Sequence, residues 1–193
     1  MSIIKEQWAH FKEKHPNIAQ FLVFFILSNG VTIFQMAMMP ILRGMFAGGS
    51  LESVPFQVFP VGRNVDGSPY YIFNYAAGPI ALDGSGGGLA YFLAVQISLA
   101  IAQVINFFAQ RNVTFKSNGS IGKAAFWYVA AYIVITLAAG AAQGLYKAPI
   151  YNFFMGNMGG AGETTADVIT MIINSAISFW VFFPIFKVIF KKR

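Results

Sequence analysis

The clearest chemistry in the sequence lies in a short segment around Arg111. The segment reads Asn106-Phe107-Phe108-Ala109-Gln110-Arg111-Asn112-Val113-Thr114-Phe115-Lys116. A guanidinium can hold a phosphate through paired, charge-assisted hydrogen bonds, and Lys116 and Lys123 would add positive charge nearby. At a membrane surface that phosphate would belong to a lipid. The alternative is that Arg111 only extends to the interface and fixes the topology, as an arginine at a helix end can do.

Amide and hydroxyl side chains recur at helical spacing in three apolar segments. Gln96, Gln103 and Gln110 are separated by seven residues and Asn106 follows Gln103 by three, so all four fall near one helix face. Two other stripes consist of Ser28, Asn29, Thr32 and Gln35 in the first apolar segment and of Thr170, Asn174 and Ser178 in the last. Because polar groups avoid hydrocarbon, these stripes are expected to face the interior of a bundle. They either hydrogen-bond between helices, at about 1 kcal/mol each, or line a polar path for a hydrophilic group.

The elements that must position these residues are membrane-spanning helices. Of the 193 residues, 56% are hydrophobic and 10% are charged, whereas a soluble domain usually carries about 25% charged residues. Four stretches reach the roughly 20 apolar residues that one crossing needs, at about 18–42, 88–110, 124–145 and 168–190, and Lys187 is the only charged residue in them. The sequence therefore predicts an all-α membrane protein, a bundle of four transmembrane helices that forms one domain over residues 1–193.

The distribution of charge predicts the orientation of these helices. With the N-terminus inside, 10 of the 13 Lys and Arg residues lie on the cytoplasmic side, namely Lys5, Lys12, Lys14, Arg111, Lys116, Lys123, Lys187, Lys191, Lys192 and Arg193. Five of the seven acids, Glu52, Asp66, Asp83, Glu163 and Asp167, fall outside. The positive-inside rule thus predicts that both termini are cytoplasmic. Nucleic acid is not an expected partner, because the basic residues are not gathered on one solvated face.

The segments outside the four spans carry their own patterns. Ile4, Trp8 and Phe11 recur at helical spacing, which predicts a short amphipathic helix on the inner leaflet; a loosely ordered basic leader is the alternative. The long outer loop, residues 43–87, contains Asp66-Gly67, the strongest hairpin cue in the chain. We expect a small, partly ordered cap there, with a β-hairpin in it.

The third span is rich in small residues toward its outer end. Gly140 and Gly144 form a G-x-x-x-G pair, which lets a neighbouring helix approach closely. This pattern is common by chance in apolar sequence, so it favours tight packing or a homo-oligomer only weakly.

Several kinds of chemistry lack the residues they need. The chain contains no cysteine, and its two histidines, His10 and His15, stand in the N-terminal leader without an acidic cluster, so neither a metal site nor a cofactor is expected. There is no nucleotide-binding loop of the G-x-x-x-x-G-K-[ST] type. The spans carry no carboxylate, which argues against a proton-coupled drug exporter, and no catalytic set is apparent, so an enzyme is not expected.

Residues 107–115 resemble the mark of the GtrA-like family of small four-span membrane proteins. That mark is an aromatic segment ending in Asn-Arg, followed by a short aromatic or β-branched stretch and Phe, at the inner end of the second span. Here Gln110 stands where asparagine is usual and Asn112 where a second basic residue is common. Ser28-Asn29-Gly30-Val31-Thr32 also looks like the small polar segment of the family's first span. The resemblance covers most of the chain, although the outer loop is longer than usual.

The resemblance implies a role in moving polyprenyl-phosphate-linked sugars across the bacterial cytoplasmic membrane, for teichoic acids, lipopolysaccharide or other envelope glycans. The expected partners are the lipid-linked sugar, membrane lipid and membrane glycosyltransferases. The candidate substrate-binding residues are Arg111, Gln110, Asn106, Gln103, Asn29, Asn174, Lys116 and Lys123. The alternative function is that of a non-transporting partner of a membrane glycosyltransferase.

Overall fold

The computed structural model describes residues 3–80 and 86–191. Asp83, Lys192 and Arg193, which entered the charge argument, lie outside the described residues. The helices are α1 (Ile3–Lys14), α2 (Pro16–Phe46), α3 (Gly88–Ala109), α4 (Ile121–Met158) and α5 (Gly162–Ile189). The strands are β1 (Phe56–Arg63) and β2 (Pro69–Tyr75), and shorter turns of helix occur at Ser50–Ser53, Gln110–Thr114 and Gly159–Ala161.

Three helical stretches of the described chain are long and apolar enough to cross a membrane, Pro16–Phe46, Gly88–Thr114 and Ile121–Ile189. They are compatible with a multi-pass membrane protein. The third stretch has 69 residues, whereas one crossing takes about 20. It contains α4 and α5, joined by the turn Gly159–Ala161.

The helices α4 and α5 run antiparallel. Tyr151 hydrogen-bonds Asp167 close to the turn, whereas Tyr128 stacks on Phe186 at 4.6 Å near the other end. The helix α4 continues to Met158, which is 13 residues beyond the predicted end of the third span. The prediction marked the end of the apolar run and not the end of the helix. The helix continues beyond that run because it packs against α5.

One end of the bundle gathers the start of α2, the end of α3 and the end of α5. The amide of Gln20 donates to the carbonyl oxygen of Thr114 at 3.3 Å, and the ammonium of Lys187 donates to Asn17 at 2.7 Å. Since α4 begins only seven residues after Thr114, its start lies near the same end. The four long helices α2 to α5 therefore alternate in direction.

An aromatic core holds the four helices together near that end. Its buried members come from each long helix and from the segments that follow α3 and α5, and they are Phe24, Phe107, Phe115, Ala124, Tyr128, Phe186 and Phe190. Phe107 contacts the Tyr128 ring edge-on and Phe186 stacks on it, with centroids 5.2 Å and 4.6 Å away. Each buried aromatic removes a large apolar area and prefers edge or offset contacts such as these.

The N-terminal segment forms the predicted helix, α1. Trp8 and Phe11 stack on each other at 5.6 Å and are half-buried, whereas Lys5, Lys12 and Lys14 are exposed. The helix is therefore amphipathic, as its spacing indicated, and its place on the inner leaflet stays a prediction.

The hairpin cue in the outer loop is confirmed, since β1 and β2 pair antiparallel with Val58 opposite Phe73. Gly67 adopts a positive φ of 81° in the connecting turn, and the Asp66 carboxylate accepts hydrogen bonds from the backbone and hydroxyl of Ser68. On the α3 side, the ring of Phe56 lies 4.0 Å from that of Phe92. The hairpin is thus packed against the bundle.

The close approach that the Gly140 and Gly144 pair permits is made by this hairpin and not by another helix. A Cβ atom on Gly140 would lie 2.9 Å from Ile72, and one on Gly144 would overlap the carbonyl oxygen of Val61 and lie 2.7 Å from the Tyr70 ring. The sequence identified a surface without side chains but could not identify what covers it.

Replacing Gly144 by alanine should weaken the attachment of the hairpin. The added methyl group overlaps backbone, which cannot rotate away, so we expect a loss of about 1–3 kcal/mol, typical of overpacking. The control is Gly156→Ala in the same helix, where an added Cβ meets nothing within 4 Å. That change should leave stability unchanged or raise it by roughly 0.5–1 kcal/mol, because alanine favours helix. Thermal unfolding in detergent compares the two, and equal midpoints would contradict the packing described here.

Candidate functional site

The candidate site begins where α3 continues into a π-type helical turn, Gln110–Thr114. The backbone N–H of Phe115 donates to the carbonyl of Gln110, five residues back, at 2.9 Å. Such π-type turns carry a local cost and occur frequently at functional sites. This turn fixes the direction in which Arg111 leaves the helix.

The side chain of Gln110 anchors the turn. It is fully buried, and its amide nitrogen lies within hydrogen-bonding distance of the Phe24 carbonyl (3.2 Å), the Ser28 hydroxyl (3.0 Å) and the Asn106 oxygen (3.1 Å). Its amide oxygen accepts the hydroxyl proton of Thr114 at 2.7 Å. One amide therefore ties together α2, α3 and the turn.

The network continues into α4 through Tyr128. The amide of Asn106 donates to the Tyr128 hydroxyl at 2.9 Å, and that hydroxyl donates to the Gln103 oxygen at 2.8 Å. The predicted residues Gln103, Asn106 and Gln110 thus form one chain of hydrogen bonds. Sequence analysis did not select Tyr128; its signal was a phenol inside an apolar span, which needs a polar partner when buried.

A cavity of about 240 Å³ lies beside this network, among α2, α3, α5 and one residue of α4. Its polar lining residues are Ser28, Thr32, Gln35, Gln103, Asn106, Tyr132, Asn174, Ser175 and Ser178. The three polar stripes of the sequence therefore converge on one space. The Asn174 side-chain oxygen is buried and has no hydrogen-bond partner in the described structure, so it leaves one acceptor free for a guest.

Of the five uncharged residues predicted for the site, two, Gln110 and Asn29, do not line this cavity. Gln110 uses its amide within the network, where it holds the turn. Asn29 donates to the carbonyl oxygen of Phe25 in its own helix at 2.8 Å. Ser28, Thr32 and Gln35 share a face at intervals of four and three, whereas Asn29 is rotated from Ser28 by about 100°.

Arg111 is half-buried and donates hydrogen bonds to two neutral acceptors. Its guanidinium donates to the Asn112 side-chain oxygen and to the Gly119 carbonyl, both at 2.9 Å. Its Nε is buried without a partner in the described structure. Because neither acceptor carries a charge, the positive charge of Arg111 is not neutralised by them, and an anion would bind more strongly than either.

The two lysines predicted beside Arg111 lie in different surroundings. Lys123, in the first turn of α4, lines a groove that also includes Gly119, the residue to which Arg111 is bonded. Lys116 is exposed, adopts a positive φ of 46° and lines neither the cavity nor this groove. Lys123 therefore shares this groove with Gly119, whereas Lys116 does not line it.

The chemistry of the cavity is that of uncharged hydrogen bonding. Amides and hydroxyls both donate and accept, which suits a small hydroxyl-rich group. Within residues 3–80 and 86–191, no group of three or more His, Asp or Glu side chains is placed to hold a metal ion. Comparison with models of known families, with curated proteins and with solved structures finds no match to this chain.

Removing the hydroxyl of Tyr128 should weaken the bundle. Tyr128→Phe deletes the link between Asn106 and Gln103 while keeping the ring, and a hydrogen bond between membrane helices contributes about 0.6–2 kcal/mol. Tyr146→Phe in the same helix is the matched control, because the Tyr146 hydroxyl is buried without a partner among the described residues and its loss should cost nothing. Apparent unfolding temperatures of the purified variants decide the point; equal losses in both would mean that the bridge does not stabilise the fold.

Proposed function

We propose that this protein is a four-span membrane protein of the GtrA-like type that translocates a polyprenyl-phosphate-linked sugar across the cytoplasmic membrane. The observation that carries the proposal is a hydrogen-bonded connection between the polar cavity and the residue next to Arg111. Asn106 lines the polar cavity and also hydrogen-bonds Gln110, the residue immediately before Arg111. A guest that is part sugar and part phosphate would find both kinds of partner together.

The proposed topology has four crossings with both termini in the cytoplasm. Its support is the alternation of α2 to α5, together with the lengths of α4 and α5, which are 38 and 28 residues. Each exceeds the length of about 20 residues that one crossing needs. The end that gathers the start of α2 and the end of α5 also holds Arg111 and Lys123, which makes it the cytoplasmic end under the positive-inside rule.

In this mechanism Arg111 captures the phosphate at the inner surface. The phosphate displaces the Asn112 oxygen and the Gly119 carbonyl, because a charge-assisted bond to an anion is stronger than a bond to a neutral acceptor. Gln103, Asn106 and Asn174 then shelter the sugar from hydrocarbon. The polyprenyl chain stays in lipid, and net movement follows the consumption of the sugar outside.

A second candidate function is that of a non-transporting partner of a membrane glycosyltransferase. The outer hairpin favours it, since Phe59 is 55% exposed at its edge and adopts a positive φ of 58°. An exposed aromatic at the edge of a hairpin suits contact with another protein. In this role the polar network would serve stability alone.

The topology is testable with single cysteines, because the chain has none of its own. Val65→Cys in the hairpin turn and Asn157→Cys near the end of α4 should react with a membrane-impermeant thiol reagent in intact cells. Lys12→Cys and Lys116→Cys should react only after lysis. Labelling of the last two in intact cells would contradict the proposed orientation.

Transport itself is testable with purified protein in liposomes that carry a labelled polyprenyl-phosphate sugar. Arg111→Ala should abolish flipping, because the phosphate loses its partner at the inner surface, and Arg111→Lys should retain only part, since lysine cannot make the paired contact. Arg63→Ala is the control, because Arg63 also donates to a backbone carbonyl, that of Gly67 at 2.9 Å, but lies in the outer hairpin. Flipping is read from the accessibility of the label to an impermeant reagent.

Two results would count against this mechanism, the first against transport and the second against the role of Arg111. Native protein that moves no labelled lipid in liposomes, yet supports glycan decoration in cells, would favour the partner role. Equal flipping by Arg111→Ala and Arg63→Ala would remove Arg111 from the mechanism.

A further inference from the structure

A second space lies along the α4–α5 pair, apart from the polar cavity. This space, the α4–α5 groove, has a volume of about 870 Å³ and shares no lining residue with the cavity. It is a surface groove, since Trp127 is 53% exposed and Val188 is 76% exposed. It lies within the range of about 300–1,000 Å³ that ligand sites occupy.

Positive charge is concentrated at one end of the groove. Lys123 at the start of α4 and Lys191 just after α5 both line it, and they share an end because the two helices are antiparallel. Gly119, whose carbonyl binds Arg111 at 2.9 Å, lines the groove at the same end. None of the described residues that line the groove is acidic.

The rest of the groove is apolar. Small side chains of α4, such as Ala131, leave room between Trp127 and the α5 residue Val188. From Lys123 to Val134 the groove follows 11 residues of helix, or about 16 Å. That length matches one leaflet, which is half of a hydrocarbon core about 30 Å thick.

We infer that the α4–α5 groove binds one phosphate-headed lipid of the inner leaflet. The phosphate lies between Lys123 and Lys191, and the chain runs along Trp127 toward Val134. Charge complementarity selects this occupant, because an apolar groove with paired lysines at its interfacial end fits an anionic amphiphile. The inference rests on the proposed function for the cytoplasmic orientation of this end, and it adds a place for a lipid chain apart from the cavity for the sugar.

The test uses the fluorescence of Trp127, which lines the groove, as its reporter. Trp8→Phe and Trp180→Phe leave Trp127 as the single tryptophan, and the full chain is placed in vesicles of neutral phosphatidylcholine. Brominated phosphatidic acid, whose chains quench tryptophan on contact, is then compared at equal mole fraction with brominated phosphatidylcholine. We expect the anionic lipid to quench at much lower mole fraction.

Two double variants are compared, and each removes two positive charges. Each lysine near the surface is worth about fivefold in affinity for an anionic lipid, so Lys123→Gln with Lys191→Gln should weaken the preference by about 25-fold. Lys12→Gln with Lys14→Gln, in exposed positions of α1, is the control and should keep it. All four lysines are exposed, so both variants should fold, which circular dichroism verifies.

The inference is overturned if neutral and anionic lipids quench Trp127 equally, because the groove then holds ordinary boundary lipid. It is also overturned if both lysine pairs have the same effect, since general surface charge then explains the preference. Selective quenching in a protein that flips no labelled sugar lipid would support the groove and reject transport. Flipping without selective quenching would support transport and reject lipid binding in the groove.

Discussion

The structure depends on one buried amide that must find partners in an apolar bundle. The side chain of Gln110 is fully buried, and an unsatisfied amide in such surroundings costs several kcal/mol. Its contacts with Phe24, Ser28, Asn106 and Thr114 meet that requirement. The same contacts set the separation of α2 and α3 and hold the π-type turn, so the direction of Arg111 follows from the need to satisfy its neighbour.

The bundle offers two unlike spaces with α5 as their common wall. One face of α5 presents Asn174 and Ser178 to the polar cavity, and another presents Val188 to the α4–α5 groove. Amphiphilic guests have the same division, since their sugar needs hydrogen bonds and their chain needs hydrocarbon. Arg111 is connected to the surroundings of both spaces, because its turn is bonded to the network beside the cavity and its guanidinium is bonded to Gly119, which lines the groove.

The half of the molecule that carries the hairpin is built on a different principle. Glycines in α4 remove side chains so that backbone meets backbone, and the hairpin occupies the resulting surface, with Gly62 at a positive φ of 71° against Gly144. Aromatic residues then attach the hairpin to α3, where Phe56 and Phe73 both contact Phe92. The half that carries the hairpin is therefore packed by shape, whereas polar contacts organise the half that contains Gln110.

The sequence by itself determined the features that repeat locally. The apolar stretches, the amphipathic α1, the Asp66-Gly67 turn and the polar stripes all follow from periodicity or from residue-specific backbone preference, and each needs only neighbouring residues. Tertiary structure alone decided the rest: that Tyr128 joins Asn106 to Gln103, that Gln110 is an anchor, that Asn29 turns to its own helix, and that a hairpin covers Gly140 and Gly144. The physical reason is that each of these depends on which helix faces meet, and residues such as Gln110 and Phe24, 86 positions apart, carry no local signal of their contact.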